Sequence, residues 1–265
     1  MPQLNLRKAH RAVYFKKNDR FDAKRKFSSP QIFSSSDIKR INFSKDKIGN
    51  NILLGKGSIG QIYIGRVIFK DNSVKRVAIK RFNNPINDAL AGDYKKVISD
   101  LREIKLSSGK PLIPKMDVVK IPTKEHPEGE WMLISPLFGG TIKGSKFYPN
   151  KISYSHQNIR EVGEIIAKLY NKGYSAIDLF AGFKEKEGVI PLDIDILARK
   201  TRQDKVSPRF FFKVIHDIIY SRMTDVKDPQ LVLNELYNEC LKYLDSSHKK
   251  EIIEYNKLNP NSLKW

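Results

Sequence analysis

GKGSIGQIYIG, residues 55–65, is the stretch on which the reading of this chain turns. Gly55, Gly57 and Gly60 stand at G-x-G-x-x-G spacing. Two unrelated folds use that spacing to bring backbone N–H groups up to a phosphate. In a dinucleotide-binding fold the glycines lie between a strand and a helix, and the helix N-terminus receives the pyrophosphate. Here the residues after Gly60 are QIYIGRVIF, rich in β-branched and aromatic side chains, so they read as strand and offer no helix start. The alternative is a strand–turn–strand flap laid over a nucleotide's phosphates. Taken alone, the motif also fits an ordinary turn.

Outward from the flap the pattern continues as strands. KDNS (70–73) has turn chemistry, and VKRVAIKRF (74–82) alternates, with Val77 and Ile79 on one face. Three strands joined by short turns predict an antiparallel meander. A helix is predicted over about 86–106, with Val97, Leu101 and Ile104 at helical spacing. PLIPKMDVVKI and EWMLISPL read as two further strands, and residues 139–155 as a linker. HQNIREVGEIIAKLYNKG carries Ile159, Val162, Ile166, Leu169 and Tyr170 on one helical face and ends at Gly173. GVIPLDI is a short strand. Three helices follow, opened by Ser207-Pro208, Asp228-Pro229 and, as a cap, Ser246-Ser247. A strand-rich first half with one inserted helix, then a helical second half, predicts a two-lobed α+β fold.

Composition sets the remaining bounds. The chain has 265 residues, 40% of them apolar, enough for a substantial core. No apolar run is long enough for a membrane helix, and the N-terminal residues lack the apolar stretch of a signal peptide. Cys240 is the single cysteine, which excludes an internal disulfide and a cysteine zinc site and fits a reducing, cytoplasmic compartment. The five histidines show no metal-binding spacing. Lys and Arg number 49 against 29 Asp and Glu, a net +20, which attracts anionic partners such as an acidic activating protein or an anionic surface. Residues 1–48 carry 13 Lys/Arg and 4 Asp/Glu and include the Ser-rich FSSPQIFSSS, so they read as a largely disordered basic arm. Nucleic acid is the weaker partner, because only Tyr14, Phe15 and Phe21 offer stacking rings among those cations.

VAIK (77–80) matches the Val-Ala-Ile-Lys signature of protein kinases, with Lys80 on the strand after the flap. A lysine on a rigid strand beneath the glycines can reach the α- and β-phosphates, provided that a carboxylate holds it extended. Glu103 and Asp100, on the following helix, are candidates, and Glu103 reaches farther. LYNKGYSAIDLFAGF (169–183) resembles the run from helix to catalytic loop in kinases, with Asp178 in the loop. PLDID (191–195) resembles their metal-binding segment, with Asp193 after a short strand.

Over about residues 52–196 the chain resembles the protein-kinase-like superfamily, and within it the small atypical kinases injected into hosts by bacterial type III secretion systems. Those have a reduced helical lobe and a Pro-x-Asp-x metal segment, as Pro191 to Ile194 do here. The resemblance implies a basic arm over 1–48, an N-lobe over 49–138 and a reduced helical C-lobe over 139–265. It implies transfer of a phosphoryl group from ATP, with Mg²⁺, to Ser or Thr of a protein substrate. Gly55, Gly57 and Gly60 would cover the phosphates, Lys80 held by Glu103 would position them, and the backbone of Ser135 to Phe138 would bind adenine. Asp178 would orient the nucleophile and Asp193 would bind the metal. A secreted effector acting in a host cytosol is the corresponding location. One departure stands out: kinases place an asparagine five residues after the catalytic aspartate, and here that residue is Phe183. A pseudokinase scaffold that binds a partner without turnover is therefore the alternative, and a basic nucleic-acid-binding protein a second.

Overall fold

A computed structural model describes residues 37–123, 125–137, 147–149, 151–174, 180–184, 188–191, 194 and 206–264. The architecture is α+β, with an antiparallel sheet and, among the described residues, five α-helices. The chain divides into two compact units, one from Met1–Ile86 with Asp117–Leu137, the other from Asn87–Met116 with Phe138–Trp265. No helix among the described residues is long and apolar enough to cross a membrane.

The first unit is a six-stranded antiparallel sheet: β1 (Ile38–Phe43), β2 (Leu53–Lys56), β3 (Gly60–Phe69), β4 (Val74–Phe82), β5 (Asp117–Ile121) and β6 (Glu130–Pro136). The predicted meander is β2–β3–β4. The order across the sheet is β1-β3-β4-β6-β5, with β2 also on β3. β1 lies opposite Gly65–Phe69 and β2 opposite Gln61–Tyr63, so the two share one edge of β3. Between them the chain makes a tight excursion. The Asp46 carboxylate accepts from the N–H groups of Ile48 and Asn50, and Gly49 takes φ +87°, which a side chain resists. One face of the sheet buries Val67, Val77, Ile79, Val119, Met132 and Ile134 together as the main cluster, and the other buries Ile64, Phe82, Val118 and Leu133. Each such side chain contributes about 1.5–3 kcal/mol through its burial.

Two boundaries differ from the sequence reading. Residues 37–48 belong by charge to the basic arm, yet Ile38–Phe43 form a strand whose Ile38, Ile41 and Phe43 pack on the core. The charges of IKRINF mask that short apolar pattern. In PLIPKMDVVKI only Asp117–Ile121 joins the sheet, because Pro111 and Pro114 break up the preceding stretch, where Pro111 makes an isolated bridge to Lys105 and Leu112 and Ile113 are buried.

In the second unit α1 (Asp88–Glu103) is capped by Asn87, whose side chain accepts from the Leu90 N–H at 2.9 Å. β7 (Phe147–Pro149) and β8 (Ile152–Ser153) lie within the stretch read as linker. α2 (His156–Asn171) starts at the Ser155 cap. It ends where Gly173 takes φ +76°, with Gly173 N–H on the Tyr170 carbonyl and Tyr174 N–H on that of Leu169. This is the paired-bond stop that a glycine after a helix allows. β9 (Phe180–Lys184) and β10 (Gly188–Pro191) form a sheet of order β10-β9-β7. α3 (Pro208–Asp217) runs into a π turn (Ile218–Arg222), and β11 (Met223–Thr224) pairs with β8. α4 (Pro229–Tyr243), capped by Asp228, packs against α2 where Gly163 permits close approach. α5 (Ser246–Leu258) is capped by Asp245, one residue before the predicted Ser246-Ser247. The carboxylate accepts from the His248 N–H at 2.9 Å, and Ser247 donates to the same group.

Candidate functional site

The glycine stretch is a hairpin. β2 and β3 pair Gly55 with Ile62 and Lys56 with Gln61, and the Gly57 N–H closes the turn on the Gly60 carbonyl at 2.8 Å. No helix follows, so the dinucleotide geometry does not apply. The three glycines have different reasons to be glycine. A Cβ on Gly55 would meet nothing within 4 Å, and one on Gly57 would lie 3.8 Å from the Gly60 carbonyl oxygen. A Cβ on Gly60 would lie 2.5 Å from the Arg81 carbonyl oxygen and 3.3 Å from Lys80 Cγ. Of the three, only Gly60 is demanded by the fold itself, and a side chain there would crowd the lysine's stem.

Lys80 occupies β4, paired to Ile62 on one side and to Leu133 on the other. Alternation puts it on the face opposite the Val77–Ile79 cluster, with Gly60, Ala78 and Phe82 on the same face. Ser135, from the stretch predicted to bind adenine, pairs with Ala78 on that face and is buried. Phe138 lies outside the described residues.

Arg81, the next residue, points to the core face. Its Nε donates to both oxygens of the buried Glu130 carboxylate at 3.0 and 2.9 Å, and its terminal nitrogen to Glu125 at 2.5 Å. Those bonds, Glu130 first, raise its already high pKa. A polar cavity of about 290 Å³ opens there beside Gln61, Tyr63 and Phe82. Its cation is matched by two carboxylates, so the cavity offers an incoming anion no unspent charge.

Sequence reasoning passed over Asn83, just beyond β4. Its side-chain nitrogen donates to the carbonyls of Gly57 at 3.2 Å and Ser58 at 2.9 Å, and its backbone N–H to that of Ile59 at 2.9 Å. Its only sequence signal is an asparagine following a strand, a commonplace of turns.

In the second unit, Glu103 is the last residue of α1 and exposed. At 100° per residue it lies opposite the helix's buried face of Tyr94, Val97 and Leu101. Asp100 flanks that face and accepts from the Tyr174 hydroxyl at 2.8 Å. Burial, and then this bond, raise the Tyr174 phenol above its ordinary range. Asp178 and Asp193 lie outside the described residues; of the described residues near them in the chain, three have defined surroundings. Tyr174 ties the chain four residues before Asp178 to α1. Val189 of β10, four residues before Asp193, donates its N–H to Glu161 of α2 at 3.2 Å. Ile194, next to Asp193, is fully buried. Burial pushes the Glu161 carboxyl up, while the Val189 N–H and Lys110 pull it down. Phe183, at the departure from the kinase pattern, lies in β9 with its backbone between Val189 and Tyr148. Among the described residues no group of three His, Cys, Asp or Glu could hold a metal ion.

No known protein family matches the chain by sequence, and no curated protein matches it.

Proposed function

We propose that the protein is a minimal kinase-like enzyme that transfers the γ-phosphoryl group of ATP to Ser or Thr of a protein. The observation that carries this reading is the contact between the glycine hairpin and Lys80. The third glycine lacks a side chain at the point where the lysine's stem passes it, so a turn lined with N–H groups and a cation occupy neighbouring places. A triphosphate needs both, donors close to its oxygens and a positive charge within reach. The two-lobed kinase-like arrangement, with a reduced helical lobe, belongs to the same proposal.

Gly55, Gly57 and Gly60 let the backbone approach the phosphates, and Lys80 grips them with a carboxylate of α1 as its holder. Glu103 is the named holder, and Asp100 of the same helix is tested beside it. The backbone around Ser135–Phe138 binds adenine. Asp178 orients the substrate hydroxyl and accepts its proton, and Asp193 is the magnesium ligand. Magnesium supplies neutralisation of charge on the β- and γ-phosphates. The chain's own contribution is positioning, with little covalent chemistry.

Incubation with radiolabelled ATP and Mg²⁺ tests the reading. Wild type should label itself or an added protein, and Asp178→Ala, Asp193→Ala and Lys80→Ala should not. Equal label on all four removes the assignment. Glu103→Gln and Asp100→Asn identify the lysine's holder by which one lowers the rate. A second reading, a pseudokinase scaffold, draws on Phe183, since a residue paired on both strand edges stands where kinases keep a metal-binding asparagine. It predicts stabilisation by ATP without transfer.

A further inference from the structure

We infer that Asn83 is a positioning residue for nucleotide phosphates, because it sets the direction of the N–H groups at the tip of the glycine hairpin. The inference rests on the phosphotransfer reading and goes one step further, to a residue outside the glycine motif and the lysine signature. In a trans peptide the carbonyl and the following N–H point in opposite directions. Asn83 receives three successive carbonyls, those of Gly57 and Ser58 on its side-chain nitrogen and that of Ile59 on its backbone N–H. The N–H groups of the same three peptides, on Ser58, Ile59 and Gly60, are thereby turned away from Asn83. Successive N–H groups facing one way make a concave site for an anion.

The side-chain assignment is chemically forced. Both of its partners are carbonyl oxygens, so the atom facing them must be the amide nitrogen, since the amide oxygen would meet them acceptor to acceptor. Glycines free this turn to adopt many shapes, and a turn so free loses entropy when a ligand orders it. Two side-chain bonds from the end of β4 remove part of that freedom beforehand. They also link the hairpin tip to the strand that carries Lys80, three residues earlier, so donors and cation share one support.

Calorimetric titration of the full chain with Mg·ATP and, separately, with adenosine tests this. Asn83→Ala should weaken Mg·ATP about tenfold and leave adenosine within about twofold, since only the phosphate-facing groups lose their orientation. Asn83→Asp keeps the shape, but its carboxylate cannot donate and opposes the carbonyls of Gly57 and Ser58, so it should weaken Mg·ATP at least as much. A general loss of structure would instead weaken both ligands together. Unchanged Mg·ATP binding in both variants, or parallel loss of adenosine, overturns the role of Asn83 while the phosphotransfer reading stands. A wild-type chain that binds neither ligand overturns that reading and this role with it.

Discussion

Replacing the hairpin glycines one at a time separates what the fold requires of them from what a ligand requires. Gly57→Ala adds a methyl group whose nearest neighbour is the Gly60 carbonyl oxygen at 3.8 Å, ordinary contact, and Gly57 is not in the left-handed region. The fold therefore has no objection to it. Alanine also restricts the unfolded chain, worth about 0.4–1 kcal/mol in favour of the folded state where the conformation suits it. The melting temperature should hold or rise by about 1–3 °C. Gly55→Ala should behave alike, since its methyl group meets open space. Gly60→Ala places a methyl group 2.5 Å from the Arg81 carbonyl oxygen, and backbone cannot swing aside as a side chain can. Overpacking of that kind costs about 1–3 kcal/mol, a fall of about 2–10 °C.

Nucleotide binding should run in a different order. A methyl group on Gly57 stands beside the Ser58 N–H, where a phosphate oxygen must come close. Losing one or two charge-assisted hydrogen bonds, at about 1.5–3 kcal/mol each, weakens Mg·ATP by about tenfold or more. Differential scanning fluorimetry and calorimetric titration on the same preparations give both quantities. Gly57→Ala should thus be folded, as stable as wild type or more so, and poor at binding. If it binds Mg·ATP as wild type does, the hairpin is an ordinary turn and the phosphate argument fails. If Gly60→Ala is as stable as wild type, the close approach of β3 to β4 is wrong.

Gly163→Ala should destabilise the second unit although alanine is the better helix former by about 1 kcal/mol, because its methyl group would lie 2.8 Å from Glu239 Cβ and 3.2 Å from the Cys240 backbone nitrogen. A melting temperature equal to or above wild type would refute that packing. Glu161 has its folded pKa raised by burial, with Glu164 adding to the rise and Lys110 opposing it, so stability falls as pH rises from the ordinary carboxylate value through the folded one. Glu161→Gln keeps an acceptor for the Val189 N–H and cannot ionise. It should match wild type below about pH 4 and exceed it at neutral pH, and thermal melts at the two pH values decide. Cys240 is fully buried in α4 and burial raises its thiol pKa, so a thiol reagent should label it only as fast as the protein opens. Rapid labelling of the native chain would contradict its placement.

The parts legible in the sequence were those set by local pattern. Val77 and Ile79 alternate with polar neighbours, and they do face the core. The prolines after Ser207 and Asp228 open helices. Gly173 ends one, since only a residue at ease with positive φ closes a helix with that pair of bonds. What could not be read depended on distant partners. β1 is a strand because β3 offers it an edge, and nothing within IKRINF announces that. Asp245 outcompetes the serines because a carboxylate can take both the His248 N–H and the Ser247 hydroxyl. Asn83 looks like any residue after a strand until three carbonyls converge on it. For the candidate site, the sequence led to the hairpin and Lys80. It put Glu103 forward by reach alone, and reach carries no information about helical face, which for Glu103 is the exposed one.

The bland explanation of Lys80 is a lysine at the solvated end of a strand. Its position argues otherwise. β4 continues to Phe82 and has a neighbour on each side, with Lys80 laddered to Ile62 and Leu133. A cation there forfeits hydration, and lysine is seldom retained in such places without a compensating interaction. The adjacent Arg81 supplies the comparison within one strand. It faces the same difficulty on the core face and resolves it structurally, through Glu130 and Glu125. On the face of Lys80 the sheet presents Gly60, whose missing side chain leaves the lysine's stem its passage, beside Ile62, Phe82 and Leu133. Within one strand, then, Arg81 is held by carboxylates on one face, while Lys80 lies on the other among Ile62, Phe82 and Leu133 with the third glycine of the hairpin beside its stem, a placement that a lysine at a solvated strand end would not have.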